Sequence, residues 1–248
     1  MKQKIVFSDF DGTLTVNGLL DPALFEIIGL LKDERTTLII VSGRSLSWGH
    51  FLLTHLPLDI IIMEGGGVVL RKLAPENIDE HLMVDKDTVD KLEFYTKELV
   101  SKFPKIVLTA DSFGRKTDRA IDKALMDSLG IDVKKDVEWF FKERGISHSY
   151  SNVHLNFWMG NISKAAASEH VLKSYYPDHD PMNDCLFFGD APNDSSMFRF
   201  FPNSVGVSNL SEFITQLDFT PRILLKGKEN SGAFGVLNYL KEHFSKKS

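Results

Sequence analysis

Two aspartates separated by a single residue and followed by glycine, Asp9, Asp11 and Gly12, carry the strongest chemical signal in the chain. They belong to the run Asp9, Phe10, Asp11, Gly12, Thr13, directly after a short apolar stretch at residues 5–8. Carboxylates at i and i+2 can face one pocket while glycine turns the backbone sharply and presents N–H groups to an anion. An isolated Asp-Gly is an ordinary turn. The pattern D-x-D-G-T, however, is expected by chance on the order of once per thousand chains of this length.

Three further segments carry compatible chemistry. Ser42, Gly43 and Arg44 supply a hydroxyl, an unobstructed backbone N–H and a guanidinium at a strand-to-helix junction, which suits phosphate and equally describes an ordinary helix cap. Gly189, Asp190, Ala191, Pro192, Asn193 and Asp194 read either as a turn or as two acids at a strand end, as a hard divalent cation requires. Lys164 follows Ser163, a natural N-cap, and a lysine at the first helical position opposes the helix dipole. Stability alone favours an acid there; an exposed lysine tolerated at small cost is the alternative. Acids for a metal, a hydroxyl and N–H groups for phosphoryl oxygens, and a lysine for their charge make up a phosphoryl-transfer site without a P-loop.

Such groups need a scaffold that brings distant segments together. Apolar runs at residues 5–8, 38–41, 60–63 and 186–188 read as strands buried on both faces. Helical stretches separate them, at residues 22–32 behind Asp21 and Pro22, and at 46–55. This βαβ rhythm predicts an α/β fold, a Rossmann-like parallel sheet with helices on both faces. In open sheets of this kind ligands bind beyond the carboxyl ends of strands, where Asp9, Ser42 and Asp190 all fall. Between residues 79 and 157 the pattern changes to a helix at 87–100, a second marked by Val137, Phe140 and Phe141, and alternating strands at Leu155, Phe157 and Met159 and at 107–109. The expected organisation is a core of residues 1–78 and 158–248 with an inserted α+β cap at 79–157. The rhythm ends in a helix that places Val236, Leu237, Leu240 and Phe244 on one face.

The 248 residues are 43% hydrophobic and 25% charged, which excludes a disordered or low-complexity chain. A formal charge of −5 gives no global grip on nucleic acid or an anionic membrane, so neither is an expected partner. Cys185 alone cannot form a disulfide within the chain, no stretch has the character of a signal peptide or membrane span, and the expectation is a cytoplasmic protein. The eight histidines show no zinc-ligand spacing. Sequon-like Asn161, Asn193 and Asn209 are incidental without a secretory signal.

At these residues the sequence resembles the haloacid dehalogenase superfamily of phosphohydrolases: D-x-D-G-T at Asp9, the hydroxyl at Ser42, the lysine at Lys164 and G-D-x-x-N-D from Gly189, in the expected order. The insert between the hydroxyl and the lysine resembles the large-cap, type-two-B branch, which includes Cof-type, sucrose-phosphate and mannosyl-3-phosphoglycerate phosphatases. The resemblance implies a Mg²⁺-dependent phosphatase acting on a small phosphate monoester such as a sugar phosphate or phosphoglycosyl acid. Asp9 becomes the nucleophile and Asp11 the acid and base. Asp9, the Asp11 backbone carbonyl, Asp190 and Asp194 hold Mg²⁺, while Ser42, Lys164, Asn193 and the N–H groups of Gly12 and Gly43 hold phosphoryl oxygens. Arg44, and Arg115, Lys116 and Arg119 in the cap, either meet the substrate or serve as a core-cap ion pair and a solvated loop. A phosphomannomutase-type phosphotransferase and a receiver-like module whose output is an aspartyl-phosphate are the competing readings.

Overall fold

The computed structural model describes residues 4–75, 77–150 and 153–245. Strand β1 (Lys4–Ser8) lies at the centre of an eight-stranded sheet, and its alternation divides the core: Val6 faces one apolar cluster, Ile5 and Phe7 the other. Helix α1 (Pro22–Asp33) begins where Asp21 accepts the Ala23 N–H and leads into β2 (Thr36–Val41), α2 (Leu46–His55) and β3 (Ile60–Met63). The chain then turns back through β4 (Val68–Ala74) and β5 (Asn77–Leu82), which pair antiparallel at the sheet edge. The expected core-cap division at residue 79 falls inside β5, whose polar side chains hide its place in the large sheet.

The insert consists of α3 (Lys86–Lys102), β6 (Asp118–Asp122), α4 (Lys123–Ser128), α5 (Ile131–Glu143), β7 (Ser147–Tyr150) and β8 (His154–Trp158). Its three strands form an antiparallel sheet in the order β6-β8-β7, with a separate core built on Leu92, Leu99, Val137, Phe140, Phe141 and Phe157. The expected strand at 107–109 is only an isolated bridge between Leu108 and Ile121.

Helix α6 (Lys164–Tyr175) returns the chain to the large sheet, followed by β9 (Cys185–Gly189), α7 (Ser195–Phe200), β10 (Ser204–Gly206), β11 (Ile223–Leu224) and α8 (Gly232–Ser245). Helices α1, α2 and α8 cover one face through Leu24, Leu53 and Val236; α6 and α7 cover the other through Val171 and Met197. The strand order β11-β10-β9-β1-β2-β3-β4-β5 makes β9, β1 and β2 parallel neighbours, so their carboxyl ends open on one place. Among the described residues no helix is long and apolar enough to cross a membrane.

Candidate active site

At the end of β1 the backbone turns at Gly12, whose φ of +85° favours glycine; a Cβ there would lie 2.2 Å from Asp190 Oδ2. This close approach lets the turn after β1 meet the loop after β9. Thr13 donates to Asp190 Oδ1 at 2.9 Å and Asn209 Nδ2 to Asp190 Oδ2 at 2.8 Å, so both oxygens are held. Asp194 receives the N–H groups of Asp190 and Ala191 on Oδ2. Its Oδ1 accepts from Lys164 Nζ at 2.7 Å, and the same ammonium donates to Asp9 Oδ1. Asp9, Lys164, Asp190 and Asp194 are all buried.

Three buried carboxylates thus offer oxygens within 4.8 Å of one another, two of them, Asp9 and Asp194, paired with the single ammonium of Lys164. Burial lifts Asp9 to about 7, against the pull of Lys164 and with a further push from Asp194. Burial, Asp9 and Asp194 raise Asp190 well above the carboxylate range. Burial disfavours the charge on Lys164, but Asp194 and Asp9 outweigh it and raise its pKa. The lysine expected to oppose its helix dipole does occupy the first residue of α6, where Ser163 caps the helix. This oxygen-rich, acid-surplus donor set fits a hard divalent cation, with Asp9, Asp190 and Asp194 as the ligands.

The second strand end is arranged differently from the expectation. Arg44 grips Asp11 through both oxygens, Nε to Oδ2 at 2.8 Å and Nη2 to Oδ1 at 2.6 Å, and its guanidinium lies 5.0 Å from the Trp48 ring centre. Asp11 is therefore turned toward Arg44 and stands apart from the three clustered carboxylates. Ser42 Oγ accepts the Arg44 N–H, and the Gly12 N–H donates to Thr15 Oγ1 at 2.9 Å rather than lying open to an anion. The Gly43 carbonyl accepts from Arg115 Nη1 and Asn156 Nδ2 of the cap.

Of the basic cap residues, Arg115 and Arg119 are buried and Lys116 is exposed. Arg115 is buried, bonds both oxygens of Asp118 at 2.8 and 2.9 Å, and also pairs with Asp111. Burial opposes ionisation of Asp111, yet Thr109 and Arg115 outweigh it and hold it at about 2; burial lifts Asp118 to about 6 against Arg115, with Glu64 adding. Lys116 pairs with Glu80 of β5, and Arg119 with Glu93 of α3 at 2.7 Å. All four basic residues offered as substrate contacts thus have acidic partners within the chain.

Glu64 is a buried participant that sequence reasoning left without a role. It has φ +54° after β3, and its carboxylate accepts N–H groups from Leu46 at the start of α2 and from Lys116, Thr117 and Asp118 of the cap. The Thr117 hydroxyl donates to it as well, at 2.7 Å. The three glycines after this acid were the available signal of a special turn. Asn209, passed over as an incidental sequon, is the other omission. Between core and cap lie a cavity of about 30 Å³ lined by Asp9, Asp11 and His154 among others, and one of about 180 Å³ reached by Lys164. Gly43, Asn156 and Asn193 line both, and Asn193 Oδ1 is buried without a hydrogen-bond partner.

The fold matches solved structures along nearly its whole length. A Thermoplasma acidophilum protein superposes with a TM-score of 0.74 at 19% identity, covering 99% of each chain. Sucrose-phosphatase from Synechocystis, solved with sucrose and phosphate, gives 0.69 at 17% identity over 98% of each chain. The C-terminal domain of trehalose-6-phosphate phosphatase from C. albicans gives 0.67 at 14%, over 97% of this chain and 92% of that one. No curated protein sequence matches. The sequence profile of the haloacid dehalogenase-like hydrolases matches residues 6–104 and 93–217, segments that together carry Asp9, Ser42, Lys164 and Asp190. With three motif segments at adjacent strand ends, Lys164 brought to them from the start of α6, and that profile spanning most of the chain, the protein belongs to the haloacid dehalogenase-like hydrolases.

Proposed function

We propose that the protein is a Mg²⁺-dependent phosphatase that hydrolyses a small phosphate monoester, of the sugar phosphate or phosphoglycosyl acid class, through an aspartyl-phosphate on Asp9. The observation that carries this reading is the buried triplet Asp9, Asp190 and Asp194 at neighbouring strand ends, with Lys164 paired to Asp9 and Asp194. Structural neighbours named as sucrose and trehalose-6-phosphate phosphatases support the substrate class.

In this reading an Asp9 carboxylate oxygen attacks phosphorus while the phosphorus bond to the alcohol oxygen breaks. Asp11, released from Arg44, gives a proton to the leaving oxygen; it then takes one from the water that attacks the aspartyl-phosphate, and Asp9 and inorganic phosphate are regenerated. Lys164 and Ser42 hold phosphoryl oxygens, Asn193 supports them, and Lys164 also keeps Asp9 and Asp194 aligned. A divalent ion held by Asp9, Asp190 and Asp194, with the Asp11 carbonyl, supplies the positive charge that offsets repulsion between phosphate and carboxylate. The cap, seated on the core through Glu64 and Gly43, excludes water from the two cavities.

The test is phosphate release from sugar phosphates, phosphoglycosyl acids and nucleotides, with Mg²⁺ and with a chelator. Release that needs the ion and saturates with a small phosphate ester is the expected result. Absence of release from every member of the panel refutes the reading.

A further inference from the structure

The buried Ser42 hydroxyl is held from one side only: its oxygen accepts the Arg44 N–H at 3.1 Å, while its own hydrogen meets no acceptor among the described residues. A buried donor left over in this way is costly unless a ligand oxygen takes it. The N–H that holds Ser42 belongs to the peptide joining Gly43 to Arg44. The carbonyl of that same peptide accepts from two cap residues, Arg115 Nη1 at 3.2 Å and Asn156 Nδ2 at 3.4 Å. Asp118 aims both donors: Arg115 Nη1 meets its two oxygens at 2.8 and 2.9 Å, and Asn156 Nδ2 meets Oδ2 at 2.8 Å. Each of these nitrogens carries two hydrogens, which lets it serve Asp118 and Gly43 together.

We propose that Asn156 and Arg115 are positioning residues that act on Ser42 through the peptide between Gly43 and Arg44, so that seating the cap orients the hydroxyl that receives a phosphoryl oxygen. This role rests on the phosphatase reading and deepens it, and it requires neither side chain to touch the substrate. A peptide unit is planar, so a carbonyl fixed on one side fixes the N–H on the other. Held by that N–H, the Ser42 oxygen has one lone pair occupied, and a hydroxyl that already accepts a hydrogen bond is polarised to donate the next. The guanidinium charge of Arg115 strengthens the first link. Ser42, Arg115, Asp118 and Asn156 are all buried, so water does not compete along the relay. Tilting the cap away releases the Gly43 carbonyl, and Ser42 loses its set orientation until the cap returns.

A double-mutant cycle tests this in the full chain, with Mg²⁺ and p-nitrophenyl phosphate. Asn156→Ala is expected to lower kcat about tenfold with KM within about twofold of wild type, and Ser42→Ala to lower kcat about a hundredfold. With Ser42→Ala the relay has no hydroxyl to orient, so adding Asn156→Ala is expected to cost less than about twofold more. In a Ser42→Thr background, which keeps a hydroxyl, the tenfold penalty is expected to return. Asn156→Val, similar in size and suited to a strand, takes the place of the alanine variant if melting shows that the latter does not fold. A penalty that is absent from the wild-type background, persists in full with Ser42→Ala, or is missing with Ser42→Thr overturns the inference alone; a direct substrate contact or a general loosening of the site gives the second of these. Wild-type chain without metal-dependent turnover defeats the phosphatase reading and the inference with it.

Discussion

Two buried charge clusters face each other across the core-cap seam, and they are balanced in opposite ways. In the cap, Arg115 is matched by Asp118 and Asp111, and Arg119 by Glu93, so each charge has its partner within the chain. In the core, among the described residues, the triplet Asp9, Asp190 and Asp194 meets one cation, Lys164, paired with Asp9 and Asp194. Burying ions costs free energy that close pairing offsets, so the first cluster, three acids to two cations, is near balance and the second, three acids to one cation, carries the larger unmet demand for positive charge. Charge balance, more than burial or proximity, separates a structural ion network from one prepared for a ligand.

The largest effect that tests this contrast is on turnover. Asp9→Asn removes the nucleophile and is expected to lower kcat by about 10³-fold or more while the circular dichroism and the unfolding transition remain those of a folded protein. A variant with near-normal kcat breaks the assignment. Arg115→Ala probes the balanced cluster: leaving Asp118 buried without its partner is expected to cost about 3–5 kcal/mol in urea unfolding, and Mg²⁺ is not expected to restore it. A loss below about 1 kcal/mol, or rescue by the ion, erases the distinction between the clusters.

A smaller effect concerns pH and the ion together. Asp9 titrates near 7 in the folded chain against an ordinary 3.8, so the folded state holds a proton that the unfolded state releases between those values. The contribution of Asp9 to stability is therefore present below about pH 4 and lost as pH rises toward 7. Metal-free wild type is expected to lose stability relative to Asp9→Asn across this window, with a slope approaching 1.4 kcal/mol per pH unit. Mg²⁺ at about a hundred times its Kd adds roughly 2.7 kcal/mol at neutral pH and flattens that slope. Thermal melts with and without chelator, showing the same slope in both, contradict the acid-surplus account. The smallest effect is expected from Asn209→Ala, which frees one oxygen of Asp190 and weakens Mg²⁺ binding by about tenfold in calorimetric titration.

Much of the core was legible because its chemistry is local. Asp9, Ser42 and Asp190 each follow a short apolar strand, and strand ends in a parallel sheet converge whatever the intervening sequence. Lys164 was readable because it breaks a rule of helix electrostatics that only its buried partners explain. The β4–β5 hairpin was hidden because β5 carries Asp79, Glu80 and His81, an edge-strand composition that resembles a loop. Pairings across long separations, Arg44 with Asp11 and Arg115 with the Gly43 carbonyl, were invisible because charge alone does not show which surface a side chain faces. The turn-rich look of segment 111–119 was accurate, yet packing buried Arg115 and residues 117–119 while Phe113 and Lys116 stay exposed.

Glu64 joins two movements that are usually thought of separately. Its single carboxylate anchors the start of α2, beside the Ser42 loop, and the first residue of β6 with the two before it. Tilting the insert away strips the acid of the Lys116, Thr117 and Asp118 amides at once, and water must take their place on a group that is otherwise dry. Together with the Gly43 carbonyl, which holds Arg115 and Asn156, this acid makes separation of the two layers a concerted rupture of several bonds and not a gradual peeling.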